Sequence, residues 1–211
     1  MNYLTNFKNI KKDIKNQNTK NSLIVVTKNT DVEKIKSIID LGQVDFGENR
    51  VKDASIKWSN ILKDQNNKVK LHLIGKLQSN KVKDAIKIFD YIHTLDSIKL
   101  ATSLDNEEKL VSKKLKYFIQ VNIGNELQKN GVLEKDLFQL LDYCRKSTDL
   151  DVIGLMCIPP ISKEPSFYFK NLQELAYKNN LNELSCGMSS DYSQAIKFGS
   201  TYVRIGSKIF S

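Results

Sequence analysis

Lys28 closes an apolar run, Leu23-Ile24-Val25-Val26-Thr27, where a strand would deliver its ammonium to one end of a sheet. Withdrawn from water, the charged amine is disfavoured, its pKa falls, and the lysine becomes a nucleophile toward aldehydes. In so lysine-rich a chain, Lys28 could equally be a surface residue capping a strand end. Arg204 sits in the last apolar run, Tyr202-Val203-Arg204-Ile205. If those two strands are neighbours, Arg204 and Lys28 share one mouth, and two cations so placed repel unless an anion or a Schiff base relieves them. The alternative is an arginine paired with a carboxylate such as Glu48, stabilising the fold. Two Gly-Ser segments complete the set: Gly187-Met188-Ser189-Ser190-Asp191 ahead of a helix, and Gly206-Ser207 after the last run. Small residues let backbone N–H groups approach a phosphate, and the Ser189 and Ser207 hydroxyls add donors. Ordinary helix capping by Ser189, Ser190 or Asp191 is the competing reading.

The elements that would position these residues alternate along the chain. Extended runs are expected at Leu23–Thr27, Val44–Phe46, Leu71–Ile74, Tyr91–Thr94, Tyr117–Val121, Val152–Met156, Glu183–Ser185 and Tyr202–Ile205. Helix-period segments separate them: one from an N-cap at Asp31 through Val32, Ile35, Ile38 and Ile39, and one through Val51, Ala54 and Trp58. Others carry Val82, Ala85, Ile86 and Phe89, begin at Ser97, or span about Lys135–Lys146, Ser166–Lys178 and Asp191–Phe198. Eight strands with intervening helices predict an α/β fold, a single-domain (β/α)8 TIM barrel over residues 1–211, with residues 1–20 as a helix or flexible lead-in. The rival, a doubly wound open sheet, lacks a GxGxxG turn after the first strand. In a barrel the site lies at the C-terminal mouth. The residues after successive strands are Lys28, Gly47-Glu48-Asn49, Gly75-Lys76, Asp96, Asn122, Met156, Ser189 and Arg204-Gly206-Ser207, a polar, glycine-rich and cationic set suited to a phosphorylated ligand.

At 211 residues the chain can bury one substantial core. No apolar run approaches a membrane span, and Met1 to Lys20 is polar with no signal core, so a cytoplasmic protein without membrane association is expected. Cys144, Cys157 and Cys186 are widely spaced and form no CxxC or Cys/His cluster, which argues for a reducing compartment and against zinc or a disulfide framework. The net charge of +9 raises nucleic acid as a partner. The excess is lysine scattered over helical positions such as Lys34, Lys36, Lys63, Lys83 and Lys87, with only three arginines, Arg50, Arg145 and Arg204. A nucleic-acid reader concentrates arginine and aromatics on one face, so no nucleic-acid partner is expected. His72 and His93 fall inside strands and are read as core or supporting residues, not general bases; Cys157 and Cys186 are read as small buried residues. With no long apolar helix face left over, a monomer is expected.

Several segments together resemble the pyridoxal phosphate homeostasis protein family, single-domain relatives of the N-terminal barrel of alanine racemase. They are Val25-Val26-Thr27-Lys28, Asp45-Phe46-Gly47-Glu48-Asn49, His72-Leu73-Ile74-Gly75-Lys76-Leu77-Gln78-Ser79-Asn80-Lys81, Gly154-Leu155-Met156, Gly187-Met188-Ser189-Ser190-Asp191 and Gly199 through Ser207. The resemblance runs from about Leu23 to Phe210, in order and with similar spacing. It implies pyridoxal 5′-phosphate as cofactor, held as a Schiff base on Lys28. It implies phosphate contacts from Ser189, Gly206 and Ser207, Arg204 facing the pyridine nitrogen, and Asn49 and Met156 lining the cofactor. It further implies cofactor binding and buffering, with effects on amino-acid and keto-acid pools, without established catalysis; pyridoxal-phosphate-dependent apo-enzymes would be the recipients. An arginine at the ring nitrogen leaves that nitrogen unprotonated and the ring a poor electron sink, against the alternative of a racemase-like enzyme using Lys28 as base. A cofactor-free Schiff-base aldolase would need no such arginine. Lys76 stands where the family usually has histidine, Asn130 where it has the serine of Lys-Ser-Gly, and the sequence ends at Ser211 and has a short N-terminal helix region.

Overall fold

The apolar runs form strands and the helix-period segments form helices, because each leaves an apolar surface that only the other covers. The computed structural model describes residues 2–17, 20–63, 68–160 and 164–211. In chain order the first half comprises α1 (Tyr3–Gln17), β1 (Ser22–Val26), α2 (Val32–Asp40), β2 (Asp45–Glu48), α3 (Val51–Trp58), β3 (Lys70–Leu73), α4 (Val82–Ile88) and β4 (Tyr91–Leu95). The second half comprises α5 (Ile98–Val111), β5 (Lys116–Gln120), α6 (Glu134–Ser147), β6 (Asp151–Met156), α7 (Pro165–Lys178), β7 (Glu183–Ser185), α8 (Tyr192–Lys197), β8 (Tyr202–Ile205) and α9 (Ser207–Phe210). The strands are parallel throughout and close into a barrel in the order β1 to β8, the expected architecture. Closure pairs Ser22 with Tyr202, Ile24 with Arg204 and Val25 with Ile205. The outer face of the strands and the inner faces of the helices share one core that includes Val25, Ile35, Phe46, Trp58, Leu71, Phe169, Leu172 and Val203.

The element boundaries follow local chemistry. Ser97 caps α5, its hydroxyl accepting from the Leu100 N–H at 3.3 Å. Asp31 occupies the N-cap position of α2 as expected but makes no side-chain cap bond. Glu164 caps α7 and Pro165 opens it, where the missing N–H costs nothing. Two short elements were not evident in the sequence: a 3-10 turn over Ser79–Lys81 ahead of α4, and α9. Of the lead-in, Met1, Asn18 and Thr19 lie outside the described residues; Tyr3–Gln17 is helical and buries Phe7, Ile10 and Ile14. Tyr3 stacks on Phe210 at 6.3 Å, so α1 and α9, which flank the first and last strands in the chain, pack together.

Glu48, at the end of β2, is buried and ties three elements through one oxygen. Its Oε1 accepts from Thr27 Oγ1 at 2.7 Å, Lys57 Nζ at 2.9 Å and Trp58 Nε1 at 3.0 Å. Lys57 also donates to the Thr27 carbonyl at 2.7 Å. The turn after β1 is thereby anchored to α3. Replacing Glu48 with alanine leaves the buried indole N–H without an acceptor and the partly buried Lys57 ammonium without its counter-charge, with only the Thr27 carbonyl to hold it. Glu48→Ala should therefore lower unfolding stability by about 3 kcal/mol, measurable by urea denaturation.

Candidate functional site

Strand parity carries the site residues to the mouth. Ile24 and Val26 face the barrel interior: a Cβ on Gly47 would meet Ile24 Cγ2 at 2.8 Å, and one on Gly206 would meet the Val26 carbonyl at 2.9 Å. Lys28 follows two residues later, in a turn closed by the Thr30 N–H donating to the Thr27 carbonyl at 3.0 Å, with Asn29 at φ +60°. The sequence placed Lys28 in limited water; the side chain is instead exposed on the rim, because β1 ends at Val26 and the turn lifts Lys28 above the packed interior.

Arg204 is inside, 4% exposed, and it does not pair with Glu48, whose oxygen is held by Thr27, Lys57 and Trp58. Its Nη1 donates to Ser185 Oγ at 2.7 Å and its Nη2 to the Cys157 carbonyl at 3.0 Å. Burial pushes its pKa down, opposed by the nearby Cys186, Cys157 and Asp191. Of the five N–H donors of a guanidinium, those two bonds leave three uncommitted within the described residues.

The two Gly-Ser loops meet. The Ser207 hydroxyl donates to Ser189 Oγ at 3.0 Å, the Lys208 N–H donates to the same oxygen at 3.3 Å, and the Arg204 N–H donates to the Gly187 carbonyl at 2.9 Å. Gly187 has φ +90° and a Cβ there would strike Ala195 Cβ at 2.6 Å, so only glycine allows this turn against α8. Asp191 holds the N-cap position of α8, but its carboxylate accepts from the Met188 N–H at 2.6 Å and makes no side-chain bond to the helix. The backbone N–H groups of Ser189 and Ser190 have no partner among the described residues.

The remaining mouth residues divide. Asn49, Arg50, Val51, Lys52, Lys76, Gln78 and Lys81 line a basic cavity of about 420 Å³ on the β2–β3 side. Lys76 is exposed there, and its charge opposes the upward shift that burial gives the Asp96 carboxyl. Met156 lies beneath the rim, fully buried with Phe118 and Tyr91. Asn122 braces the loop after β5, its amide donating to the Glu126 carbonyl at 2.9 Å. Cys157 and Cys186 are buried, as expected. Among the described residues no group of three or more His, Cys, Asp or Glu could hold a metal ion, and no helix is long and apolar enough to cross a membrane.

How the interior polar residues connect was not evident in the sequence. His72 Nε2 lies 3.0 Å from Asp45 Oδ1, His72 Nδ1 2.9 Å from His93 Nε2, and His93 Nδ1 2.8 Å from Ser185 Oγ. His72 stacks on Tyr91 at 4.2 Å and His93 on Phe118 at 4.3 Å. The one signal was that both histidines, His72 and His93, fall inside consecutive apolar runs.

The chain and its fold are similar to known proteins. The family model described as alanine racemase, N-terminal domain, matches residues 2–211. The pyridoxal phosphate homeostasis protein of Vibrio alginolyticus is 35% identical over 197 residues, covering 89% of this chain and 84% of its own. That of Haemophilus influenzae is 33% identical over 210 residues, covering 95% and 88%. PipY of Synechococcus elongatus, solved with PLP bound, is 33% identical with a TM-score of 0.82, covering 91% of this chain and 93% of its own. An alanine racemase of Clostridium difficile shares the fold at 15% identity and a TM-score of 0.77, this chain spanning 56% of it. The fold is thus the alanine racemase N-terminal barrel. Within that class, the chain belongs to the pyridoxal phosphate homeostasis protein family.

Burial lowers the pKa of His72 from its usual 6.5, outweighing Asp45 and Asp90, which raise it; Lys70 lowers it further. His93 is lowered further, by burial and then by His72 and Arg204. Both rings therefore stay neutral in the folded protein when histidines of the unfolded chain begin to take up protons. The stability they contribute is fully present above about pH 6.5 and is lost as pH falls through the folded values. The melting temperature should fall between pH 6.5 and pH 5, ahead of ordinary carboxylate titration. A flat profile over that interval would contradict two neutral rings.

Proposed function

We propose that this chain binds pyridoxal 5′-phosphate and serves its homeostasis, holding the cofactor as a Schiff base on Lys28 over one domain spanning residues 1–211. The observation that carries the reading is the junction of the two Gly-Ser loops beside Arg204, with Ser207 on Ser189 at 3.0 Å and Arg204 donating to Gly187. Family membership and the PLP-bound structure of PipY support it. The donors fit the ligand. Serine hydroxyls and the unpartnered N–H groups of Ser189 and Ser190 suit a phosphate, with Gly206 allowing close approach. Arg204 has donors free for an unprotonated ring nitrogen, which accepts. The exposed Lys28 offers an amine to an aldehyde without rearrangement of the core, and Asn49, which lines the basic cavity of the mouth, and Met156, which lies beneath the rim, are the proposed neighbours of the ring. When bound, the cofactor supplies an electrophilic aldehyde and an electron-withdrawing ring.

Arg204 also sets what the protein does not do well. A guanidinium cannot hand a proton to the ring nitrogen, so the ring gains little capacity to stabilise a carbanion. That supports a carrier over a racemase, as does the naming of the relatives as homeostasis proteins. In this reading the protein is a cytoplasmic monomer that influences amino-acid and keto-acid balance through supply of the cofactor to apo-enzymes.

Protein mixed with pyridoxal 5′-phosphate should show a visible band that borohydride fixes covalently, and Lys28→Ala should show none. An identical fixed band in Lys28→Ala would overturn the assignment of the lysine. Ser189→Ala combined with Ser207→Ala should weaken pyridoxal 5′-phosphate binding about tenfold or more while leaving pyridoxal, which lacks the phosphate, little changed. Equal losses for both ligands, by titration, would place the phosphate elsewhere.

A further inference from the structure

Arg204 is a buried cation with no carboxylate in direct contact among the described residues; Asp191 acts on it only at longer range. Such a charge is costly unless something compensates it. We propose that Ser185, His93, His72 and Asp45 form a single hydrogen-bonded file through the barrel interior that positions Arg204 and compensates its charge from the opposite end of the barrel. The proposal deepens the assignment of Arg204 to the cofactor's ring nitrogen and rests on it.

Both ends of the file fix its direction. A guanidinium only donates and a carboxylate only accepts. Arg204 Nη1 donates to Ser185 Oγ at 2.7 Å, so the single serine hydrogen is free to go to His93 Nδ1 at 2.8 Å. A neutral His93 then carries its hydrogen on Nε2 and donates to His72 Nδ1 at 2.9 Å. His72 in turn carries its hydrogen on Nε2 and donates to Asp45 Oδ1 at 3.0 Å. Each bond donates away from Arg204 and toward Asp45. The lone pairs face the cation and the hydrogens face the anion, so the bond dipoles add along the file. The alternative, an imidazolium at His72 paired with Asp45, would have to carry that charge in an enclosed site between Tyr91 and Tyr202.

The flanking elements hold the file still. His72 stacks on Tyr91 of β4, His93 on Phe118 of β5, and the Tyr202 ring of β8 stands edge-on to Phe118 at 5.4 Å. The charged groups that reach it are Lys70 on β3, Asp90 ahead of β4, and Lys11 of α1, which shares a cavity with Asp45 at the N-terminal end of the barrel. Lys116 of β5 lies over the Tyr91 ring at 6.0 Å. The Asp45 side chain is 19% exposed, so the file begins at solvent and ends at the guanidinium.

The chain contains only two histidines, and both belong to the file, so protein labelled with 15N-histidine reports it through four ring nitrogens. Without added cofactor, both rings should be neutral with the hydrogen on Nε2 between pH 6.5 and 8. A hydrogen on His93 Nδ1, or an imidazolium at His72 in that interval, would overturn the directed file. With pyridoxal 5′-phosphate bound, Asp45→Asn should move the pH midpoint of the visible band downward by about half a unit, because a compensating negative charge is removed. Ser185→Ala should weaken the cofactor about tenfold and release His93 from its single tautomer. Asp45, at the solvent end, is the milder substitution should Ser185→Ala impair folding. A band in the wild type whose midpoint and affinity ignore both substitutions would sink the relay alone. No band in the wild type would sink the cofactor assignment and the ring-nitrogen role of Arg204 together, leaving the nitrogen spectra to judge the file itself.

Discussion

The pairing of β1 with β8 is the contact on which the site depends. Residues 28 and 204 are far apart in sequence, and only closure of the sheet sets the end of the first strand beside the end of the last. Because the side-chain period of a strand is two, the register that matches Ile24 to Arg204 also sends Ile24, Val26, Tyr202 and Arg204 to the interior together. A slip of one residue would turn Arg204 outward into the apolar layer beneath the helices, where its charge has no acceptor. The seam is accordingly fastened from outside the barrel as well: α1 packs on α9, and the Asn6 amide donates to the Ile209 carbonyl at 3.2 Å. Stability at the seam and geometry at the mouth are one property.

The interior then departs from what a purely apolar barrel would contain. Layers of branched aliphatic side chains are the usual filling. Here a layer of rings, Tyr91, His72, His93, Phe118 and Tyr202, occupies the middle, and Gly47 is small enough to let Ile24 fill the space opposite. Stacked rings suit this place because they pack as apolar surfaces on their faces while the imidazole edges carry hydrogen bonds. A polar path can therefore cross the core without leaving a ring nitrogen unpaired.

Local signals in the chain explain what was legible beforehand. The longer apolar runs and the helix-period segments specify the barrel because they show their own period, and the three-residue β7, too short to show one, is marked by the Gly187 turn that follows it. Parity from Val26 and from Tyr202 placed Lys28 and Arg204 at one mouth, and small residues marked the two loops that meet at Ser189 and Ser207. The exposure of Lys28 was missed because it depends on where β1 ends, and the Asn29 turn is a matter of one residue. The partner of Arg204 was missed for a different reason. Glu48 was the nearest acid in the mouth by sequence, but the Thr27 hydroxyl, Lys57 and the Trp58 indole already hold it, and those contacts come from an adjacent turn and helix. Long-range polar pairing has no period, so nothing in a single sequence announces it.

The distance between Arg204 and its compensating acid has a chemical consequence. A carboxylate in direct contact would occupy two guanidinium donors in a bidentate fork and would place negative charge beside the bound ring. Compensation through neutral Ser185, His93 and His72 occupies one donor on that side and keeps the anion, Asp45, at the far end of the barrel. Arg204 is left with donors to spare, a fixed orientation, and a net positive field at the mouth, where the phosphate of the cofactor would be drawn. The same field disfavours a proton on the ring nitrogen, which is the condition for holding the cofactor without activating it. In the proposed carrier, that role and the lack of a carboxylate in direct contact with Arg204 have a common origin: the charge at the far end of the file is stationed where it cannot assist catalysis.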